Sequence, residues 1–140
     1  MYRLDDSRAP LYIVHLSGVL THAELERLER DTEAMLLRRA AHGCVWDLTG
    51  FEFPSREILA AATKMSKRLS VLLVDNYERP VDAPPYYTAY VVSPRIAKVV
   101  QFFHNFAARE VSQNNVFADR DQALAAALEQ LRGFGLRVPA

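Results

Sequence analysis

Asp47 and Thr49 close an apolar run, Ser55 and Arg56 follow it after a glycine, and Ser93 and Arg95 flank Pro94 further along. These are the side chains whose types and spacing could do chemistry. A carboxylate at the end of a buried strand can serve as an acid, a base or a ligand. Acids at such turns more commonly accept hydrogen bonds from their own turn amides, and that use is favoured for Asp47. Ser55 could accept a phosphate or cap the helix starting beside it, and capping is favoured because it satisfies otherwise unpaired N–H groups. Ser93 and Arg95 sit at another helix start, where backbone N–H groups and a guanidinium could hold a small anion. The plainer reading is a serine cap beside a solvent-exposed arginine. Asp47, Thr49, Ser55, Ser93 and Arg95 converge only if the two strands that carry them are neighbours.

Other chemistries find little support. The four histidines, His15, His22, His42 and His104, show no metal-ligand spacing, so no metal is expected. No Gly-x-Ser-x-Gly elbow, phosphate loop or dinucleotide glycine fingerprint is present, so neither catalysis by a familiar motif nor a cofactor is expected. Cys44 is the single cysteine, which rules out an intrachain disulfide and a thiolate zinc cluster. It reads as a small buried hydrophobe.

The 140 residues are half hydrophobic, with 17 basic and 17 acidic side chains. That suits one domain, 1–140, with a core of its own. Zero formal net charge argues against a nucleic-acid binder, which needs a cationic field; of the adjacent basic pairs, Arg38-Arg39 is the one that suggests a patch, and the solvated end of a helix is its plainer reading. No stretch approaches the length of a membrane span and the N-terminus shows no apolar signal core, so a cytoplasmic location is expected.

The elements that must position these residues follow from periodicity and punctuation. Tyr2 and Leu4 alternate with polar residues before the turn-like Asp5-Asp6-Ser7-Arg8, and Leu11 to Leu16 is a strand, giving an N-terminal hairpin. Thr21-His22-Ala23-Glu24 has capping-box spacing. Behind it Leu25, Leu28, Thr32, Met35 and Leu36 form one face of a helix reaching Ala41. Val45 to Leu48 lacks alternation, as expected of a central strand buried on both faces, with a mostly buried Trp46. Ile58, Ala62, Met65, Leu69, Leu72 and Asn76 predict a long helix, although Val71–Val74 alone could be a strand. After the Pro80–Pro85 connector come a strand over Thr88–Val92, a helix from Ser93-Pro94, a short strand at Val116-Phe117 and a helix capped at Asp119 and ended by Gly133. Strands alternating with amphipathic helices predict an α/β fold: a mostly parallel sheet of four to five strands, about four helices and an N-terminal hairpin. Phe103 belongs to the buried stripe of the third helix, with Ile96, Val99, Val100 and Ala107. Phe102 and Phe106 lie on a neighbouring line that could meet a ligand, a partner or a second copy in a homodimer.

Several landmarks resemble the STAS domain, the fold of bacterial anti-sigma-factor antagonists. Leu16-Ser17-Gly18 resembles its "(L/V)xG" segment before a helix, and Asp47-Leu48-Thr49-Gly50-Phe51-Glu52-Phe53 resembles its "DLSGVxF" core. Asn114-Asn115-Val116-Phe117, with Asp119 and Ala123-Leu124, resembles the "vFxdxxeAL" ending of a STAS-like bacterial group of unassigned role. The antagonists follow the core with an Asp-Ser-Ser/Thr-Gly turn whose hydroxyl a partner kinase phosphorylates. Here Arg56 stands at that position and Ser55 sits one residue early, within Pro54-Ser55-Arg56-Glu57-Ile58. The resemblance implies a non-enzymatic cytoplasmic regulatory or protein-interaction module with a protein partner. The alternative is a small-molecule or lipid-binding domain, with a cleft at the strand ends for a small anionic or lipid ligand. Related folds, CRAL-TRIO domains among them, serve that purpose. An apolar cavity lined by Phe102, Phe106 or Met65 would favour the alternative.

Overall fold

The computed structural model describes residues 1–97 and 115–140. Strands β1 (Tyr2–Arg8) and β2 (Leu11–Gly18) form the hairpin. Helix α1 (His22–Leu37), strand β3 (His42–Phe51) and helix α2 (Arg56–Leu73) follow, and α2 continues into a π-helical turn over Val74–Glu78. Strand β4 (Tyr86–Val91), a helical segment over residues 94–97, strand β5 (Val116–Phe117) and helix α3 (Arg120–Gly133) complete the described chain. The five strands lie in the order β1-β2-β3-β4-β5; the β1–β2 pair is antiparallel and every other pair parallel. The predicted α/β architecture is therefore the observed one.

Helices cover both faces of the sheet, which is why β3, third of five, carries apolar residues without alternation. On one face Val14, Leu16, Cys44 and Leu48 pack with Leu25, Leu28, Met35, Ile58 and Ala62 from α1 and α2. On the other, Leu11, Val45, Ala89 and Val91 meet Ala123, Ala127 and Leu131 of α3. Gly43 allows this approach, because a Cβ there would lie 3.1 Å from Leu131 Cδ1. Trp46 is mostly buried, its ring stacked on Tyr90 at a centroid distance of 6.4 Å.

Local signals account for the helix starts. Thr21 Oγ1 accepts from Glu24 N at 3.1 Å and Glu24 Oε1 accepts from Thr21 N at 3.1 Å, the reciprocal box that the spacing predicts. Ser55 Oγ accepts from Ile58 N at 3.3 Å, and Asp119 caps α3 by accepting from Asp121 N.

Several boundaries differ from expectation. The hairpin turn falls at Ala9-Pro10, not at Asp5–Arg8, and β1 runs through the acidic stretch with a bulge between Asp5 and Arg8. Helix α1 ends at Leu37, four residues before Ala41, because Arg39 turns the chain with a positive φ of 51°. Leu73, with Leu69, takes the buried line of α2 where Leu72 was expected, and Val71–Val74 is helical. Strand β3 extends beyond Leu48 through Gly50 to Phe51. Strand β4 starts two residues earlier than expected, at Tyr86. Val99, Val100, Phe102, Phe103, His104, Phe106, Ala107 and Asn114 lie outside the described residues.

The π turn ties α2 to the loop between α1 and β3. Asn76 Oδ1 accepts from Arg39 Nε at 2.5 Å, and Tyr77 Oη donates to Ala40 O at 3.1 Å. Among the described residues no helix is long and apolar enough to cross a membrane.

Candidate functional site

The strand-end surface begins with Asp47. Its neighbour across the sheet is His15, and the next pair is Ser17 with Gly50, so β3 carries one extra residue between them. That is a β-bulge, which bends the strand and re-aims its side chains. Asp47 Oδ1 shapes it by accepting from Thr49 N at 3.2 Å and from Thr49 Oγ1 at 2.7 Å. The favoured use of Asp47, bonding to its own turn, is what the geometry has. Oδ2 lies 3.7 Å from His15 Nδ1, and both side chains are 13% exposed. Burial first, and then Arg3 and Arg120, hold the His15 pKa below its ordinary value against the pull of Asp47 and Asp5. The imidazole is therefore neutral at pH 7 and the contact is no ion pair. His15 Nε2 is buried with no partner among the described residues. Sequence reasoning missed the pairing of His15 with Asp47, because it depends on strand register; parallel alignment of the two runs was the one signal that could have found it.

Because β3 and β4 pair side by side, with Asp47 opposite Val91, the loops beyond them meet. Thr49, Gly50, Glu52, Ser93, Pro94 and Arg95 line one shallow depression. Of the five residues weighed for convergence, Thr49, Ser93 and Arg95 meet here. Asp47, Ser55 and Arg56 are not in that lining, since Asp47 is turned into the bulge and Ser55 is engaged as the cap of α2. Arg56 is exposed on the first turn of α2. Arginine and hydroxyls could receive a small anion here, but Glu52 sets a like charge against it. Phe102 and Phe106 lie outside the described residues, so neither is placed at the site.

Two apolar side chains stand out at the same end. Val19, after β2, is 50% exposed, and Phe53, after β3, is 65% exposed. Their loops are joined by the hydrogen bond from Glu52 N to Gly18 O at 3.0 Å. An exposed phenylalanine and an exposed valine on adjoining strand-end loops have the composition of a contact patch.

A cavity of about 190 Å³ lies between the sheet and helices α1 and α2. Leu28, Met35, Met65, Leu69 and Trp46 are among its apolar walls, and the polar side chains in its lining are Thr32, Ser66, Ser70, Thr88, Tyr86, Tyr90 and His42. Its lining by Met65 fits the sequence-based criterion for a ligand-binding domain. No group of acidic, histidine and cysteine side chains among the described residues could hold a metal ion.

The arrangement of strands and helices is that of solved anti-sigma factor antagonists. In its unphosphorylated form, the anti-sigma factor antagonist SpoIIAA superposes with a TM-score of 0.60 at 16% identity, covering 95% of this chain and 97% of that one. The phosphorylated form of SpoIIAA, a Bacillus cell fate determinant, gives 0.56 at 16% identity over 90% and 98%. An anti-sigma factor antagonist from Mycobacterium paratuberculosis gives 0.52 at 16% identity over 91% and 93%. This chain thus has the fold of the anti-sigma factor antagonists, the STAS fold, over most of its length. No family model and no curated protein sequence matches it.

Proposed function

We propose that this protein is a non-enzymatic, cytoplasmic regulatory module that docks a protein partner on its strand-end surface. The observation that carries the reading is the exposed pair Val19 and Phe53 on hydrogen-bonded loops, beside the depression lined by Thr49, Ser93 and Arg95. Likeness of fold to the anti-sigma factor antagonists supports it. An uncharged aromatic anchor beside a guanidinium and hydroxyls suits a protein surface with an apolar centre and a polar rim. The test is affinity capture from the protein's own host with wild-type, Phe53→Glu and Arg95→Glu baits, the eluates compared by mass spectrometry. One protein retained by wild type and lost with Phe53→Glu is expected. Retention of the same proteins by all three baits would refute the surface assignment.

A second reading is favoured by the cavity between the sheet and helices α1 and α2. There the module would hold a small ligand that sets its regulatory state.

A further inference from the structure

We propose that this cavity takes a small, uncharged, mainly apolar ligand with one hydrogen-bond donor, and that His42 Nε2 is the acceptor. The inference rests on the small-molecule reading above and adds the ligand's size, charge and polar end. Size follows from the volume of about 190 Å³. An engineered apolar cavity of about 150 Å³ holds benzene, so this one suits a fused bicyclic ring or a short chain, and a long acyl chain exceeds it. Charge follows from the walls: among the described lining residues there is no Asp, Glu, Lys or Arg. An ion placed there would lose its hydration without a counter-ion.

The polar end follows from His42, at 4% exposure among the most buried polar residues described. Tyr77 and Tyr12 meet its ring edge-on at 5.1 Å and 6.2 Å, and Tyr86 stacks on it at 6.3 Å. His42 Nδ1 lies 3.0 Å from Ala40 O. A carbonyl oxygen only accepts, so Nδ1 carries the ring proton. Burial holds the His42 pKa below its ordinary value, so the imidazole is neutral and Nε2 is a lone-pair acceptor. Among the described residues Nδ1 is the only ring atom of His42 with a hydrogen bond. A ligand O–H or N–H would give that lone pair a partner in the cavity His42 lines. A carboxylate would offer only acceptors to it and is selected against.

Indole and indene test this, because they share one bicyclic frame and differ by the N–H donor. Each is titrated into the full chain, with binding read by calorimetry and by methyl NMR shifts of Leu28, Met65 and Leu69. Both are expected to shift the cavity methyls, with indole roughly 3- to 10-fold tighter, as one neutral hydrogen bond provides. Indole alone should move the His42 Nε2 nitrogen resonance upfield, and His42→Phe should bring indole down to the affinity of indene. The nitrogen shift is read on wild type, so the test survives a variant that fails to fold. Equal affinities without that shift would overturn the polar anchor and leave the small-molecule reading standing. Cavity methyls unmoved by either compound at millimolar concentration would overturn both.

Discussion

Glu24 offers the sharpest test of how the fold is held at its N-terminal edge. Its Oε1 accepts from Thr21 N at 3.1 Å, closing the box of α1, while Oε2 accepts from Tyr2 N at 2.8 Å and lies 3.4 Å from the N-terminal ammonium. One carboxylate thus fastens β1 to α1. Thr21→Ala removes a single cap and should cost about 0.5–2 kcal/mol. Glu24→Ala leaves two backbone donors in different elements without their acceptor. A hydrogen bond to a charged group contributes about 1.5–3 kcal/mol when water is excluded. The Tyr2 bond is partly buried and the Thr21 bond solvent-exposed, so a total of about 2–3 kcal/mol is expected. Urea unfolding of wild type, Thr21→Ala, Glu24→Gln and Glu24→Ala at pH 7 provides the comparison, with unchanged slopes as the control. The Thr21 amide, with help from Tyr2 N and the N-terminus, holds the Glu24 pKa below its ordinary 4.5. A depressed folded pKa gives stability that is present above the unfolded value and lost as pH falls through the folded one. The gap between wild type and Glu24→Ala should therefore close at acid pH. A gap that does not narrow as pH falls from about 7 into the acid range, or a loss no larger than that of Thr21→Ala, would refute the reasoning.

Leu131→Ala should cost about 2–5 kcal/mol by urea unfolding, because Leu131 is fully buried and packs over Gly43. His15 and His42 both have folded pKa values below the ordinary 6.5, through burial, so the stability they confer is present above pH 6.5 and lost as pH falls below it. Urea midpoints flat from about pH 7.5 to about pH 5.5 would contradict this, as would NMR titrations placing both rings at ordinary values. Ser55→Ala should cost about 0.5–2 kcal/mol as a lost cap, and phosphopeptide mapping of native protein should find Ser55 unmodified. Substantial phosphate occupancy there would restore the phosphorylation switch that the displaced motif argues against.

What was legible in the sequence was whatever depends on near neighbours. The buried face Leu25, Leu28, Thr32, Met35 and Leu36 is the face observed, since helical period and capping chemistry act within a few residues. The misplaced turn in β1 shows where such signals stop. Asp5 Oδ1 accepts from Ser7 N at 3.0 Å and from Ser7 Oγ at 2.6 Å, the same short-range chemistry that Asp47 and Thr49 use in β3. An Asp-x-Ser/Thr unit serves a bulge as readily as a turn, and only the partner strand decides between them. Arg39 ended α1 without the glycine that marks most such turns. His15 beside Asp47, the hydrogen-bonded loops that carry Val19 and Phe53, and the cavity all join residues distant in sequence. Met65 carries ordinary core spacing, so nothing local distinguishes the wall of a void from a filled interior.

The wide turn at Val74–Glu78 bears on how this chain can change in length. A π turn accommodates more residues per revolution than an α-helix, which lets the adjacent Asn76 and Tyr77 both reach back to the segment leading into β3. Removing any one residue there would restore ordinary pitch and improve the helix itself. It would also swing Tyr77 off Ala40 and away from the edge of the His42 ring, so the gain in regularity would loosen the start of the central strand. Insertions and deletions in sequences that keep this arrangement should therefore spare residues 74–78 and gather in the exposed connector after Arg79.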